Sequence, residues 1–277
     1  MSLSAARIKL VKSLRQKKFR QTYHKFTVEG VKMVAELVSQ SAYDIDAIYA
    51  VSGWSNPGFP SDMITIVSEK ELGRMSQLSS PNEVLAVLGL PQVGAFRSPL
   101  NVAPVLFTND SDSGTDDTGS AIEHFSTLLN QGWSIYLDGV QSPANLGAVI
   151  RVADWFGFRA VIRGPETADL YNHKSLQASM GSFLRIPSPE LSLKDIRETM
   201  PDLPVYGTAT DGESIYQFEP PDRAVLVIGR EGSGIRPDTH SLLKDYLSIP
   251  RASGGQAESL NAAVAAGVIC SQIASKG

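Results

Sequence analysis

The sequence has little of what several classes of protein need. Its 277 residues include one cysteine, which excludes an internal disulfide and a zinc site built from cysteines. No run approaches the roughly 18 uninterrupted apolar residues of a membrane span. The single thiol, Cys270, lies in a segment rich in alanine, valine and isoleucine, which predicts a buried, inert side chain. We therefore expect a cytoplasmic protein without a metal centre or a membrane anchor.

Positive charge is in the minority, but it is concentrated at one end. The net charge is −4, with 25 basic and 29 acidic residues, which taken alone argues against a nucleic-acid partner. Residues 1–28, however, contain eight of the basic residues, no acid and several interleaved aromatic residues. Such an arm is typical of a surface that contacts a polyanion, and we predict Lys17, Lys18 and Arg20 as its contacts. A solvated helix face is the alternative interpretation.

The chain divides into two regions of regular secondary structure. Short helix and strand patterns alternate up to about residue 95, whereas residues 109–120 read NDSDSGTDDTGS and contain no apolar residue, which predicts loop or linker. From residue 121 onward strands and helices alternate, and apolar runs such as AVLVI are typical of a parallel sheet covered on both faces. We predict a small α/β domain at 1–100, a linker or acidic loop at 101–130 and a mostly parallel α/β domain at 131–277.

Three loops at the ends of predicted strands carry unusual residues, and ligands of parallel sheets bind at such ends. In the first loop, Pro143 and Asn145 shape a turn into a helix that we expect to begin near Leu146, so Asn145 is a candidate N-cap. Arg151 lies further along that helix among apolar neighbours. We predict that Arg151 is semi-buried and needs an anionic partner. Capping alone would also explain Asn145.

The second loop follows the apolar run AVLVI and contains Gly229, Gly232 and Gly234. Its glycines allow close approach to a ligand, but Glu231 lies between them and would repel a phosphate. The spacing is neither that of a P-loop nor G-x-G-x-x-G. We therefore expect a neutral or cationic ligand, or an adenosine without phosphates.

The third loop, 247–261, also turns through glycines and enters a helix that we predict over 258–274, with Ser259, Leu260 and Asn261 in its first turn. Capping alone is again an alternative. Ser259 is a poor candidate for a hydrolase nucleophile, because G-x-S-x-G is absent and the four histidines fall outside these loops. S-adenosylmethionine, a cationic sulfonium that carries an adenosine and no phosphate, suits the charge of the loops.

Taken together, the loops resemble the SpoU (TrmH-like) branch of the SPOUT RNA methyltransferases. VQSPANLGAVIR, LVIGREGSG and SIP…ESLNAAVAA are similar to that family's three motifs, in its order and spacing, and ASMGSFLRIP is similar to its middle region. The N-terminal FRQTYHKFTVEGVKMVAELV is similar to the family's ribosomal-protein-like substrate-binding domain. The resemblance implies a C-terminal trefoil knot, a homodimer, S-adenosylmethionine as donor, and methyl transfer to a ribose 2′-oxygen of structured RNA, either tRNA or rRNA.

The resemblance also implies roles for individual residues. Positions that match the donor contacts are Gly229, Ile249 and Leu260, with Thr208 and Ala209 after the predicted strand 204–208. Positions that match the active site are Asn145, Arg151, Glu231, Ser259 and Asn261. The chain departs from the family between Ile249 and Leu260, where it is about two residues longer and has Arg251 in place of a methionine. A non-catalytic RNA-binding protein with the same fold remains the alternative, and the missing dinucleotide motif disfavours an NAD enzyme.

Overall fold

The computed structural model describes residues 3–40, 43–56, 58–91 and 125–276. The acidic segment 109–120 lies outside the described residues. The N-terminal unit contains helices α1 (Ala5–Ser13), α2 (Lys17–Tyr23), α3 (Val31–Gln40) and α4 (Glu69–Met75), and strands β1 (Lys25–Glu29), β2 (Ile45–Ala50), β3 (Ile64–Ile66) and β4 (Val84–Gly89). Its sheet has the order β1-β4-β2-β3 and is mixed, because β4 runs antiparallel to both neighbours while β2 and β3 are parallel.

The C-terminal unit begins with helical residues 125–129. It then contains β5 (Trp133–Leu137), α5 (Pro143–Phe156), β6 (Val161–Arg163), α6 (His173–Ser179), α7 (Leu193–Thr199), β7 (Val205–Ser214), β8 (Ala224–Ile228), α8 (Pro237–His240), β9 (Asp245–Ser248) and α9 (Ala262–Ala274). The strand order is β6-β5-β8-β7-β9, and the pairings between neighbours are parallel. The predicted α/β fold with a mostly parallel sheet is confirmed. The trefoil knot stays a prediction at this point.

Alternation along the central strands explains why both faces of this sheet are covered. On β5, Ile135 and Leu137 face one apolar cluster, whereas Tyr136 faces another. On β8, Leu226 faces the first of these clusters and Val227 faces the second. Burial on both sides requires continuous apolar strands, which is the pattern seen in the sequence.

The two units share one apolar cluster, which contains Phe26 of β1 together with Leu146 of α5. Aromatic rings join them as well, since the ring centroid of Tyr171 lies 4.7 Å from that of Phe26. Gln177 donates from Nε2 to the carbonyl oxygen of Glu29 at 2.9 Å. The N-terminal unit is therefore packed directly against α6 and its flanking turns.

Three elements near this packing differ from what the local sequence pattern indicates. The pattern favours one helix over 4–20 and a turn at the start of 26–39, but the structure has two helices separated at 14–16 and the strand β1. The pattern also favours a strand at 184–186, where the structure has the end of a 3-10 turn, Ser182–Leu184.

Among the described helices, none combines the length and the apolar character needed to cross a membrane. Within the same residues, no group of three or more acidic, histidine or cysteine side chains is placed to hold a metal ion.

Candidate functional site

The three loops singled out in the sequence meet at the carboxyl end of the parallel sheet. Asn145 donates from Nδ2 to Oε1 of Glu231. Asn261 donates from Nδ2 to the same Oε1 at 2.7 Å and to Oδ1 of Asn145 at 3.1 Å. We call these three residues the amide–carboxylate cluster. Because each comes from a different loop, the cluster fixes the loops that follow β5, β8 and β9 relative to one another.

Asn145 reaches this cluster because it does not cap its helix. Helix α5 begins at Pro143, and Ser142 is the N-cap, whose hydroxyl accepts from the backbone N–H of Asn145 at 3.3 Å. The expectation that Asn145 is the N-cap of a helix starting near Leu146 is therefore wrong. With the cap supplied by Ser142 and proline at the first helical position, the amide of Asn145 is buried and turned toward the neighbouring loops.

Glu231 is held by a closed turn. The backbone groups of Arg230 and Gly234 exchange two hydrogen bonds, of 2.9 and 3.0 Å, and Gly232 and Gly234 have φ values of 89° and 70°. Those left-handed conformations favour glycine. A side chain at Gly229 would overlap the backbone of Gly234 and Ile235. The glycines thus close the turn on itself and so fix the position of Glu231.

Two ion pairs anchor this turn, and sequence reasoning missed both. Asp138, which is fully buried, accepts from the backbone N–H and from Nε of Arg236, both at 2.7 Å. Burial lowers the pKa of Arg236 while the Asp138 carboxylate raises it, and the net result is a rise. Arg230 pairs with Glu166 and lies directly over Gly139. The only local signal was an aspartate immediately after a buried strand.

Asn261 has two roles at once. It is the N-cap of α9, and its Oδ1 accepts from the backbone N–H of Ala263 at 3.0 Å and of Val264 at 3.3 Å. The same side chain uses Nδ2 in the cluster. The prediction that the helix starts at 258 is wrong, and capping alone does not explain Asn261.

The other predicted loop residues lie around the cluster without joining its hydrogen bonds. Ser259 precedes α9 and is exposed, as is Leu260, with 48% of its surface accessible. Ile249 is half-buried and packs against the core. Thr208 and Ala209 are half-buried and lie within β7 rather than after it. Thr208 also marks the point where the pairing of β7 with β9 shifts register.

Arg151 is not where the sequence predicted. The expectation of a semi-buried arginine is wrong, because Val149, Ile150 and Ala153 face the core while Arg151 is on the exposed side of α5. Arg151 lies six positions beyond Asn145, which is about 9 Å along a helix axis. Its side chain forms no hydrogen bond or ion pair with any residue of the described ranges. The guanidinium is therefore open to an anion from outside the chain.

The predicted RNA contacts divide into two groups. Lys17 and Lys18 are exposed on α2. Arg20 is 3% exposed, pairs with Asp169, and donates from Nη1 to the carbonyl oxygens of Leu14 and Arg15. The prediction of Arg20 as an RNA contact is therefore corrected, since its guanidinium joins the two units in the interior.

Two family models match this chain. Residues 132–271 match the model of the SpoU rRNA Methylase family, and residues 5–86 match an MRM3-like substrate binding domain. The chain belongs to the SpoU rRNA methylase family. It is thus an RNA methyltransferase, and the family prediction is confirmed. All three residues of the amide–carboxylate cluster fall within the matched range.

Relatives extend the similarity to nearly the whole chain. The 23S rRNA (guanosine(2553)-2′-O)-methyltransferase RlmP of Bacillus subtilis is 28% identical over 95% of this chain and 94% of its own length. A TrmH-family RNA methyltransferase structure from Porphyromonas gingivalis is 33% identical, with a TM-score of 0.75 over 99% of this chain and 98% of that one. The SpoU methyltransferase AviRb from Streptomyces viridochromogenes, solved with AdoMet, is 22% identical, with a TM-score of 0.75 over 98% of each chain.

Proposed function

We propose that this member of the SpoU rRNA methylase family transfers a methyl group from S-adenosylmethionine to a ribose 2′-hydroxyl of ribosomal RNA. The observation that carries the proposal is the amide–carboxylate cluster, in which the residues matching three separate family motifs are joined by hydrogen bonds. The named activity of the Bacillus subtilis relative supports both the 2′-oxygen and rRNA as the substrate.

The residues at the carboxyl end of the sheet suit this donor. Arg230 and Arg236, the cations that flank the glycine turn, are each engaged by a carboxylate, so the turn has no free cation for a phosphate. Glu231 offers a negative charge instead, and its Oε1 accepts both amides of the cluster, which leaves Oε2 for a cationic partner. This charge pattern matches a sulfonium that carries a phosphate-free adenosine.

The donor would be held by Gly229, Thr208, Ala209, Ile249 and Leu260. The side chains of Ile249 and Leu260 supply half-buried and exposed apolar surface at the ends of β9 and α9, which suits the flat face of a purine. S-adenosylmethionine supplies the electrophilic methyl group. The lengthened loop after β9 is held by Arg251, which donates from Nη1 to the carbonyl oxygen of Ala257 at 3.1 Å.

Arg151 is the residue that we assign to the RNA. A guanidinium keeps its proton at neutral pH and is a poor base. It can, however, bind a phosphate through two parallel hydrogen bonds and donate to a hydroxyl oxygen. We assign it the roles of holding the substrate phosphate and polarising the 2′-hydroxyl. Asn145, Glu231 and Asn261 fix the loops around the reacting groups, and Ser259 is free to contact the ribose.

The N-terminal unit would provide the rest of the RNA surface. Five exposed side chains on or beside α1 and α2 carry positive charge and form no ion pair with described residues: Lys9, Lys12, Arg15, Lys17 and Lys18. The remaining cations of this region, Arg7, Arg20 and Lys25, are paired with carboxylates. The unpaired set is a footprint suited to a phosphate backbone.

A homodimer and a C-terminal trefoil knot belong to the same proposal. Helices α5 and α9 pack together, and they expose Trp155 and Val264 with 82% and 52% of their surfaces accessible. A second copy of the chain is the partner that the family resemblance implies, and we propose that it covers these two side chains. We also propose an RNA-binding first domain at 1–100 and a cytoplasmic site of action. The second domain begins before the expected limit of 131, because Phe125, Leu128 and Leu129 are buried in its core.

The deciding experiment compares ribose methylation in cells with and without the gene, by mass spectrometric mapping of rRNA and tRNA. Loss of one 2′-O-methyl group from rRNA supports the proposal, and its restoration by the wild-type gene but not by Arg151→Ala links the loss to this site. Loss from tRNA would correct the substrate. Unchanged maps, with no heat of donor binding by calorimetry, would favour the non-catalytic RNA-binding alternative.

A further inference from the structure

Arg185 joins three elements that otherwise belong to different parts of the fold. It follows the 3-10 turn Ser182–Leu184. Its Nε and Nη2 donate to Oδ2 of Asp154 on α5 at 3.0 and 2.7 Å. Its Nη1 donates to Oε2 of Glu36 on α3, in the N-terminal unit, at 2.8 Å. One guanidinium thus connects the N-terminal unit to the helix that carries Arg151.

Asp154 is the acidic residue nearest to Arg151 along α5. Side chains three residues apart on a helix are neighbours, with Cβ atoms about 5–6 Å apart, and opposite charges at that spacing attract. Arg151 nevertheless forms no ion pair with Asp154 or with any other described residue. The carboxylate of Asp154 is instead turned toward Arg185, with its side chain 24% exposed.

We propose that Arg185 is a positioning residue for methyl transfer, which holds Asp154 so that this carboxylate does not neutralise Arg151. Arg151 then stays available for the phosphate and the 2′-hydroxyl of the RNA. The inference rests on the proposed role of Arg151 and adds a residue that acts on the reaction through a neighbour.

The charge balance around Arg185 supports this assignment. The hydrogen bonds that Arg185 donates to Asp154 are the largest cause of its raised pKa; burial lowers that pKa, and the hydrogen bond to Glu36 raises it. The guanidinium therefore remains charged and faces two carboxylates. Removing it would leave Asp154 half-buried without its cation, and Arg151, three residues earlier on the same helix, is the replacement that we expect.

The test is a set of variants in the full-length protein, assayed with radiolabelled S-adenosylmethionine and undermethylated rRNA from cells that lack the gene. Arg185→Gln is expected to raise KM for RNA about threefold to tenfold with a smaller change in kcat, because the new Asp154–Arg151 pair competes with the phosphate. Adding Asp154→Asn to that variant is expected to restore most of the wild-type KM. Donor affinity by calorimetry should be the same throughout.

A matched control separates this role from simple tethering of the two units. Glu36→Ala removes the contact with the N-terminal unit and leaves the Arg185–Asp154 pair, so KM is expected to stay within about twofold of wild type. If Glu36→Ala reproduces the defect, or if Asp154→Asn does not reverse it, the inference is overturned and Arg185 acts only as a tether.

Two further measurements keep the outcome decisive. Arg185→Lys keeps the positive charge but cannot donate two hydrogen bonds to Asp154 from a planar group. This variant should fold, and its KM for RNA should rise less than that of Arg185→Gln, with Asp154→Asn again reversing the rise. RNA affinity by filter binding at low salt should follow the same order as KM, independently of turnover. If the wild-type protein transfers no methyl group, the proposed function fails; if it does and only the reversal is missing, the inference alone fails.

Discussion

Asn145 and Arg151 lie on the same helix, six residues apart, in opposite surroundings. Asn145 is 9% exposed and is held by Glu231 and Asn261, whereas Arg151 is exposed and makes no bond within the described residues. The first turn of α5 is preorganised by contacts inside the chain, whereas the exposed side of the helix at Arg151 is left for a partner. The difference suits an enzyme that fixes a small donor and receives a large RNA.

Removal of the Arg151 side chain should have the largest effect on methyl transfer, and it tests the exposed part of α5. Arg151→Ala should reduce methyl transfer on the order of 100-fold or more, since it removes a charged donor from the reacting groups. Donor affinity should not change, because Arg151 makes no contact with the amide–carboxylate cluster. Transfer assays and calorimetry check the two halves, with Arg223→Ala as a matched arginine control. Retained turnover would contradict the assignment.

The preorganised end can be tested through Gly229. Gly229→Ala should destabilise the protein by about 1–3 kcal/mol, because the new methyl group overlaps the backbone of Gly234 and Ile235. Donor affinity should fall with it, since the turn that places Glu231 must shift. Chemical denaturation measures the first effect. Gly73→Ala is the control, because its methyl group would be in ordinary contact with Pro81 and alanine favours a helix. Equal stability of the two variants would show that the turn is not closed as described.

A smaller change separates the charge of Glu231 from its shape. Glu231→Gln keeps one oxygen to accept from Asn145 and Asn261, so the loops should remain in place. S-adenosylmethionine should nevertheless bind about tenfold more weakly, equivalent to about 1.4 kcal/mol, because the carboxylate that we propose as the partner of the sulfonium is gone. S-adenosylhomocysteine lacks that positive charge and should bind both proteins equally in calorimetry. An equal loss for both ligands would mean that Glu231 acts only through loop geometry.

The sequence predicted the place of the site better than the orientation of its residues. The three loops were recognised from their motifs, and the alternation of apolar runs predicted the parallel sheet. Local signals failed at two helix starts: Ser142 rather than Asn145 is the N-cap of α5, and Asn261 caps α9, which begins at Ala262 rather than at the predicted residue 258. Serine and asparagine are equally good caps, so the sequence alone does not choose between them.

Burial was the other property that the sequence did not supply. Apolar neighbours suggested a semi-buried Arg151, but successive helical residues point about 100° apart, so the neighbours of Arg151 face the core while Arg151 does not. Arg20 shows the reverse error, since a basic run suggested exposure. Its partner Asp169 lies 149 residues away in the chain, and no local pattern records a contact of that range.

Helix α2 gives the test with the smallest expected effect. It carries both kinds of cation: Arg20 is buried and paired, whereas Lys17 and Lys18 are exposed and form no ion pair with described residues. Lys17→Glu with Lys18→Glu should weaken RNA binding about fivefold at low salt. It should also make the dependence of affinity on salt less steep, since each lost phosphate contact removes up to about 0.9 from the slope. Arg20→Gln should leave that slope unchanged and lower stability instead, because Asp169 and the carbonyl oxygens of Leu14 and Arg15 lose their donor. Filter binding across a salt series and chemical denaturation of both variants check the pair. If the Arg20 variant changed the slope and the lysine variant did not, Arg20 rather than the two lysines would contact the RNA. The RNA surface would then lie at the junction of the two units rather than along α2.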